Sequence, residues 1–491
     1  MRTLNHTHTL LNLDEVKIDP SWALKIQPTL ALRRQIIPFA CVDGIVHVAC
    51  ANAADSTAVQ TVRRLINMPI EVEQAELSSL KRALQKVYGD TNNKAANRQA
   101  ESASPDDVVA LSENIINSAI MKQASDIHID VEKENLIIRF RVDGKMEPFL
   151  HLPFDAHAPL VSRLKVLSSM DIAEKRSPQD GHIAFPNGNK QPIDIRVATL
   201  PTKYGERMTL RVMGAHASSL TLESMAMSET HERYLKQSLS QPHGLILLTG
   251  PTGSGKTTTL YAALRNLMQK EGLNLITIED PIEYDLPGVA QVGIDSGDKM
   301  NFAAALRSVL RHDPDVIMVG EIRDSETANI AMKAAVTGHL VLSTLHTNSA
   351  PSVVTRLLDM GVERFLVAST LRLAVAQRLV RKLCQHCHTP HEITADEARA
   401  LGAPEIEGKT AYKRKGCKYC AGSGYNGRTG VYEMLKIDES FSKIIIAGAQ
   451  ESEIVDEMRK RGVNLLVEDA IERILNGEIS IEEVLTTTTT L

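Results

Sequence analysis

The spacing of apolar and polar positions changes along this chain, and the changes mark out its elements. Residues 34–39 and 45–50 flank Asp43-Gly44 with strand-like apolar patterns, which predicts two strands around a turn. Residues 56–65 and 77–88 carry apolar groups at helical spacing, so residues 1–90 read as a small α/β domain. Residues 91–106 contain almost no large apolar side chain and cannot bury themselves, which predicts a flexible linker. A helix follows from residue 108 to about 124, with Val109, Ile115, Ile116 and Ile120 on one face. Strand patterns at 126–131, 136–142, 193–199 and 207–213 then complete a second α/β domain over 107–213, crowded with arginines. After a less regular link at 214–227, the pattern changes character. Continuous apolar runs at 245–249, 275–278, 316–319 and 340–344 alternate with helical segments. Strands of that kind belong to a parallel sheet covered on both faces, here spanning 228–380. Residues 381–435 hold two cysteine pairs, residues 436–491 read as helical, and the threonine run 486–490 reads as a frayed tail.

Composition narrows the class. Of 491 residues, 43% are hydrophobic and 23% charged, which excludes a mainly disordered or fibrous chain. The formal charge is −5 and aromatic residues make up 4%, with Trp22 the single tryptophan. Both figures weigh against a nucleic-acid partner held by bulk positive charge or base stacking. No apolar run reaches membrane-spanning length; the stretch 365–380 is interrupted by Arg372 and Arg378. The first 13 residues lack the apolar core of a signal peptide, so the expectation is a soluble, cytoplasmic protein. Six cysteines in so long a chain make no disulfide framework.

The strongest chemical signal is Gly250, Pro251, Thr252, Gly253, Ser254, Gly255, Lys256 and Thr257, followed by Thr258 at the start of a predicted helix. This is G-x-x-x-x-G-K-[ST] between an apolar strand and a helix, the pattern of a phosphate-binding loop. Backbone N–H groups of such a loop converge on phosphate oxygens, and the helix N-terminus adds a partial positive charge. Lys256 is then placed for the β- and γ-phosphates of ATP, and Thr257 for Mg²⁺. Further acids end neighbouring strands: Glu279, Asp280 and Glu283, then Glu321 beyond 316–319. Ligands of open α/β sheets lie beyond the carboxyl ends of the strands, so these acids face the nucleotide. Glu321 is the choice for orienting the attacking water, and His346, ending another strand, for sensing the γ-phosphate. A helix cap or a solvated turn is the plain alternative for any one of them.

Cys384 and Cys387, with Cys417 and Cys420, form two C-x-x-C turns separated by 29 residues. Two such pairs complete a tetrahedral Cys₄ zinc site with no open position, which makes the metal structural. The cysteine set is complete without His386 or His388. Lys413, Arg414, Lys415 and Lys418 make this knuckle basic.

Taken together, these segments resemble the traffic ATPases of type II secretion and type IV pilus assembly, the GspE/PilB family. GPTGSGKTT looks like its Walker A box, TIEDPIEY its Asp box, VGEIRD its Walker B box and TGHLVLSTLHTNSA its His box. The resemblance extends to ASDIH at 124–128, RFRVDG at 139–144, DIAEKRSPQDG at 171–181, AQRLV at 376–380 and GRTGVYE at 427–433. It implies a multidomain α/β protein: a RecA-like P-loop ATPase domain preceded by small α/β domains, the second PAS-like. A zinc-knuckle insertion and a helical C-terminus follow. It also implies a homohexamer whose Arg196 and Arg211 approach the phosphates, with Arg307, Arg311 and Arg323 in the same charge-neutralising set. Pairing with strand acids such as Asp194 and Glu206 is the plain alternative for these arginines. The implied partners are inner-membrane platform proteins, reached through the first domain at the cytoplasmic face, with no nucleic acid. The competing reading is a nucleic-acid motor with a zinc ribbon.

Overall fold

The computed structural model describes residues 10–52, 56–88, 105–187, 190–213, 221–294 and 300–488. The chain divides into two compact units. One comprises Met1–Ala215, Leu383–Thr389 and Arg414–Asn426; the other comprises His216–Lys382, Pro390–Lys413 and Gly427–Leu491.

In the first unit, strands Ile36–Val42 and Ile45–Cys50 pair antiparallel, and Ile70–Gln74 pairs parallel with the second of them. Asp43 and Gly44 both take positive φ, 50° and 78°, as a tight two-residue hairpin requires. Helices Ser56–Ile66 and Leu77–Tyr88 lie where the periodicity put them. The third strand escapes the pattern because its IEVEQ sequence is only partly buried along its length. The first expected strand begins two residues late, because Pro28–Arg34 is a helix closed by Gln35 in the left-handed region.

The second sheet has six antiparallel strands in the order Lys145–Pro153, Asn135–Val142, Asp126–Val131, Gly205–Val212, Lys190–Thr202, Gln179–Asn187. Helices Pro105–Met121 and His157–Leu167 contribute Ile115, Ile116, Leu160 and Leu164 to its core. The two outermost strands were not expected. They carry Pro148, Pro153 and Pro186, and prolines are tolerated at sheet edges where no ladder bond is lost. Residues 91–104 of the expected linker lie outside the described residues, and 105–106 already belong to a helix.

The second unit is built on a seven-stranded sheet. Its order is Ala290–Gly293, Leu275–Glu279, Val316–Val319, Leu340–Leu345, Gly244–Thr249, Leu371–Leu383, Tyr425–Lys436. The first five of these pairings are parallel. Alternate residues of one strand enter two different cores: Leu245 and Leu247 one, Ile246 and Leu248 the other. Burial on both faces is why those strands read as unbroken apolar runs. The expected boundaries at 380 and 435 fall inside the last two strands, so the cysteine-bearing region also supplies the final strand of this sheet. Residues 214–220 of the expected interdomain link and 489–491 of the tail lie outside the described residues. The C-terminal helices are Glu439–Ala447, Glu451–Lys460, Leu466–Leu475 and Ile481–Thr488. The last takes in the start of the threonine run, where Thr486 Oγ1 donates to the Glu482 carbonyl at 2.8 Å. No helix of the described residues is long and apolar enough to cross a membrane.

Candidate functional site

The in-register parallel strands bring their carboxyl ends to one edge, with Thr249 beside Leu345 and Ile278 beside Val319. Short bonds tie the departing loops together. Gly320 N–H donates to the Ile278 carbonyl at 2.7 Å, and Ile322 N–H to the Thr344 carbonyl at 3.0 Å. Thr347 N–H donates to Thr249 Oγ1 at 2.8 Å. Residues separated by nearly a hundred positions in sequence therefore share one rim.

The Gly-rich loop leaves this rim directly into helix Lys256–Met268, with Gly255 at φ 86° as its N-cap. Two of its glycines are required by what lies behind them. A Cβ on Gly250 would stand 2.4 Å from the Gln377 carbonyl, and one on Gly255 would stand 2.9 Å from Gln377 Nε2. Lys256 is 9% exposed, and its ammonium donates to the Gly250 and Pro251 carbonyls at 2.6 and 3.2 Å. Burial pulls its pKa down to about 8. Thr257 is exposed at the first turn of the helix.

Glu321 lies within 2.5 Å of the Arg323 guanidinium and 3.4 Å from His346 Nε2. Burial alone would raise its pKa, but the hydrogen bond and charge of Arg323, with His346, outweigh it and hold the carboxyl below its ordinary value. The acid is thus anionic at neutral pH and reachable from the rim. Glu279 is placed differently. It is 3% exposed and accepts from Tyr261 Oη, from Thr277 Oγ1 at 2.6 Å and from Gln291 Nε2 at 3.1 Å. Its Oε2 ties the strand to helix Lys256–Met268 through Tyr261, while its Oε1 is taken by Thr277 of the same strand and Gln291 of the neighbouring one. Asp280, one residue further, is exposed, and its charge acts on Arg323.

Arg307 pairs with Glu326, and Arg311 donates to the Arg307 carbonyl at 3.1 Å. On the antiparallel sheet, Arg196 and Arg211 are directly opposed on adjacent strands. Arg211 pairs with Asp126 at 3.2 Å, while Glu206 binds the buried Lys165 at 2.6 Å rather than an arginine.

Residues to which sequence reasoning gave no role hold the rim in place. Gln377 accepts from Thr259 Oγ1 at 2.9 Å, and the 2% exposed Arg378 donates to the Asn348 carbonyl at 3.0 Å. The buried Glu433 accepts from the Ala350 and Leu466 amides at 2.6 and 3.1 Å, serving the starts of two helices at once. In the sequence Arg378 stands out as a charge interrupting an apolar run and as part of the AQRLV resemblance, with no role attached to it. A charge in such a run signals a built contact, since an unpaired one is costly to bury.

The four cysteine Sγ atoms lie within 4.8 Å of one another, with Cys384–Cys417, Cys387–Cys420 and Cys417–Cys420 at 3.8, 3.9 and 3.8 Å. A tetrahedral ion with bonds of about 2.3 Å to sulfur needs edges of about 3.8 Å, so the donor set and its spacing fit. Cys420 Sγ accepts from the Cys417 and Gly424 amides at 3.2 Å, as expected of a thiolate ligand. His388 is turned to the Cys384 carbonyl and His386 stacks on Tyr419, leaving the cage to the four sulfurs.

A Gly-rich loop between a buried parallel strand and a helix, faced by an ionised acid from a neighbouring strand end, is the site of a P-loop ATPase. The chain belongs to the Type II/IV secretion system protein family, whose profile matches residues 100–486; an MshEN domain profile matches residues 7–93. It is 39% identical to a type II secretion system protein E of Pseudomonas aeruginosa over 478 residues, 93% of this chain and 95% of that protein. It is 37% identical to the type IV pilus assembly ATPase PilB of Myxococcus xanthus, over 96% of this chain and 88% of that one. Among solved structures, the pilus retraction motor PilT with bound ADP matches 76% of this chain and 96% of its own, with TM-score 0.53 and 26% identity. The fold is also that of the Legionella pneumophila ATPase DotB, with TM-score 0.60 at 21% identity over 80% of this chain and 98% of that one. The chain is therefore an ATPase of the secretion and pilus assembly class.

Proposed function

We propose that this chain works as a homohexamer at the cytoplasmic face of the inner membrane, where ATP hydrolysis moves a membrane platform and extends a pseudopilus or pilus. The observation that carries this is the gathering of Lys256, Glu321 and His346 on loops from three adjacent strand ends. In this reading the loop amides and Lys256 hold the β- and γ-phosphates, Lys256 exchanging its loop carbonyls for phosphate oxygens. Thr257 would hold Mg²⁺, which when bound would supply charge neutralisation to the phosphates. Glu321, kept ionised by Arg323 and His346, orients the attacking water, and His346 registers the γ-phosphate. Asp280 and Glu283 serve the same rim, whereas Glu279 positions. Arg196, Arg211, Arg307, Arg311 and Arg323 neutralise transition-state charge, to which planar guanidinium groups are suited. The four cysteines would hold zinc in a structural role, since four thiolates leave no place for a reacting water. Residues 1–90 dock onto the inner-membrane platform. The names of the secretion and pilus relatives support the coupling to export or extension.

Glu321→Gln tests it in a cell that depends on the motor. ATP binding should persist while turnover falls by about 100-fold or more and export or pilus extension stops. Extension continuing without hydrolysis would sink the motor reading. Hydrolysis strongly stimulated by DNA or RNA would favour a nucleic-acid motor instead.

A further inference from the structure

We propose that the metal-loaded cysteine knuckle is the seat of the chain's own first domain, so that first-domain docking depends on metal binding while metal binding does not depend on docking. The contacts lie on the second ligand turn itself. Lys418 and Tyr419 stand between Cys417 and Cys420, and Ala421 follows directly. Lys17 N–H donates to the Tyr419 carbonyl at 2.9 Å. Lys418 pairs with Glu73 at the end of strand Ile70–Gln74. The side chains of Tyr419 and Ala421 pack against the first domain's apolar core. Tyr419 also stacks on His386, with centroids 3.9 Å apart and planes within 13°, and His386 lies between Cys384 and Cys387. One aromatic ring thus bridges the first domain and the opposite ligand turn.

The shape of this surface depends on the cage. The two segments that join the first unit, Leu383–Thr389 and Arg414–Asn426, are too short to bury a core of their own. Their second turn closes through Ala421 in the left-handed region, φ 50°, with Gly422 N–H on the Cys417 carbonyl at 2.9 Å. A left-handed alanine persists only where its surroundings fix it. Four sulfurs on one ion supply that constraint, and structural ions contribute folding free energy to small sites of this kind. Without the ion, Tyr419 and Lys418 are left to the Lys17 hydrogen bond and the Glu73 pair, and their hold on the first domain should loosen. This rests on the zinc assignment but not on the export role.

Hydrogen exchange of the full-length chain, read by mass spectrometry beside metal analysis of the same sample, tests it. The reporters are the Lys17 amide and peptides from strand Ile36–Val42. Cys417→Ser should lose the zinc and speed exchange at Lys17 at least tenfold. Tyr419→Ala keeps all four thiolates, so it should hold one zinc per chain and still show the faster exchange. Glu73→Lys should behave like Tyr419→Ala, with Lys418→Glu in the same chain restoring protection. Unchanged exchange at Lys17 in a chain shown to have lost its zinc would overturn the proposal. So would unchanged exchange in Tyr419→Ala. If Cys417→Ser exchanges faster everywhere, the zinc-retaining Glu73→Lys chain decides: protected at Lys17, it overturns the proposal; deprotected there alone, it supports it. A wild-type chain with clearly less than one zinc defeats the Cys₄ zinc assignment itself.

Discussion

The two large sheets handle their charges in opposite ways. On the antiparallel sheet and the helix packed on it, several cations have carboxylate partners: Asp130 takes Arg139 and Arg207, Asp126 takes Arg141 and Arg211, and Lys165 takes Glu206. At the rim of the parallel sheet Lys256 is nearly as buried as Lys165, yet its hydrogen-bond acceptors are two peptide carbonyls. A buried ammonium on neutral acceptors is a charge kept for an incoming anion. The Lys165–Glu206 pair is closed on itself, whereas Lys256 holds only carbonyls and is the cation proposed to take a phosphate.

Removing each lysine breaks this comparison most forcefully. Lys256→Ala should abolish measurable ATP hydrolysis, because it takes away the cation proposed to hold the β- and γ-phosphates. Its thermal melt should stay close to that of the parent. Lys165→Ala should do the reverse. It strands the Glu206 carboxylate at 5% exposure and frees the Glu174 carbonyl that Lys165 also holds, costing about 3–5 kcal/mol of stability. Nucleotide binding per folded molecule should survive. Phosphate release and calorimetric melting, measured on both proteins, check the exchange of roles. A Lys256→Ala chain that melts as early as Lys165→Ala would erase the distinction.

Glu433 sits between these extremes, a buried carboxylate that serves the rim without facing it. Burial raises its pKa, although the Ala350 and Leu466 amides and Arg378 oppose that. Glu433→Ala leaves two amides unsatisfied and Arg378 without its nearby countercharge, a loss of about 2–4 kcal/mol. Ser349 and Asn348, which lead to His346, lose part of their anchorage, so kcat should fall more than nucleotide affinity. An affinity loss equal to the loss in kcat would mean that the phosphate loop, not the His346 segment, had moved.

How much was legible in the sequence follows from the same physics. The parallel strands were found because both faces are buried and their runs are unbroken, as at Gly244–Thr249. The phosphate loop was found because its glycines and lysine occupy fixed offsets. Edge strands such as Lys145–Pro153 were missed, since partly buried residues leave no clear alternation. The bracing role of Glu433 was out of reach because its partner Ala350 lies 83 residues away. Cysteine spacing picked out four sulfurs that the fold brings together, but nothing local said that Tyr419 would pack against the first domain's core. Contacts made through space, rather than residue types, are what the chain alone withholds.

The smallest effect expected concerns protons, and it gives Lys256 opposite signs in affinity and in stability. Lys256 titrates near 8 in the folded protein because it is buried, and a phosphate beside it favours the ammonium form. Below pH 8 the lysine is charged with or without ATP, so affinity should be flat. Above that value binding must take up a proton. From pH 7.5 to 9 the Kd should then rise about eightfold, approaching tenfold per unit at higher pH. Calorimetry in two buffers of different ionisation enthalpy should show close to one proton taken up at pH 9. The same lysine acts on stability with the opposite sign. Its folded pKa lies below the unfolded value near 10.4, so the unfolded chain binds more protons between the two, and this group's contribution to stability rises with pH across that window. Affinity therefore falls while the lysine's share of stability grows. Lys256→Ala should remove both slopes together, whereas Lys165→Ala should leave the affinity slope in place. Proton uptake persisting in Lys256→Ala would move the titrating group elsewhere on the rim.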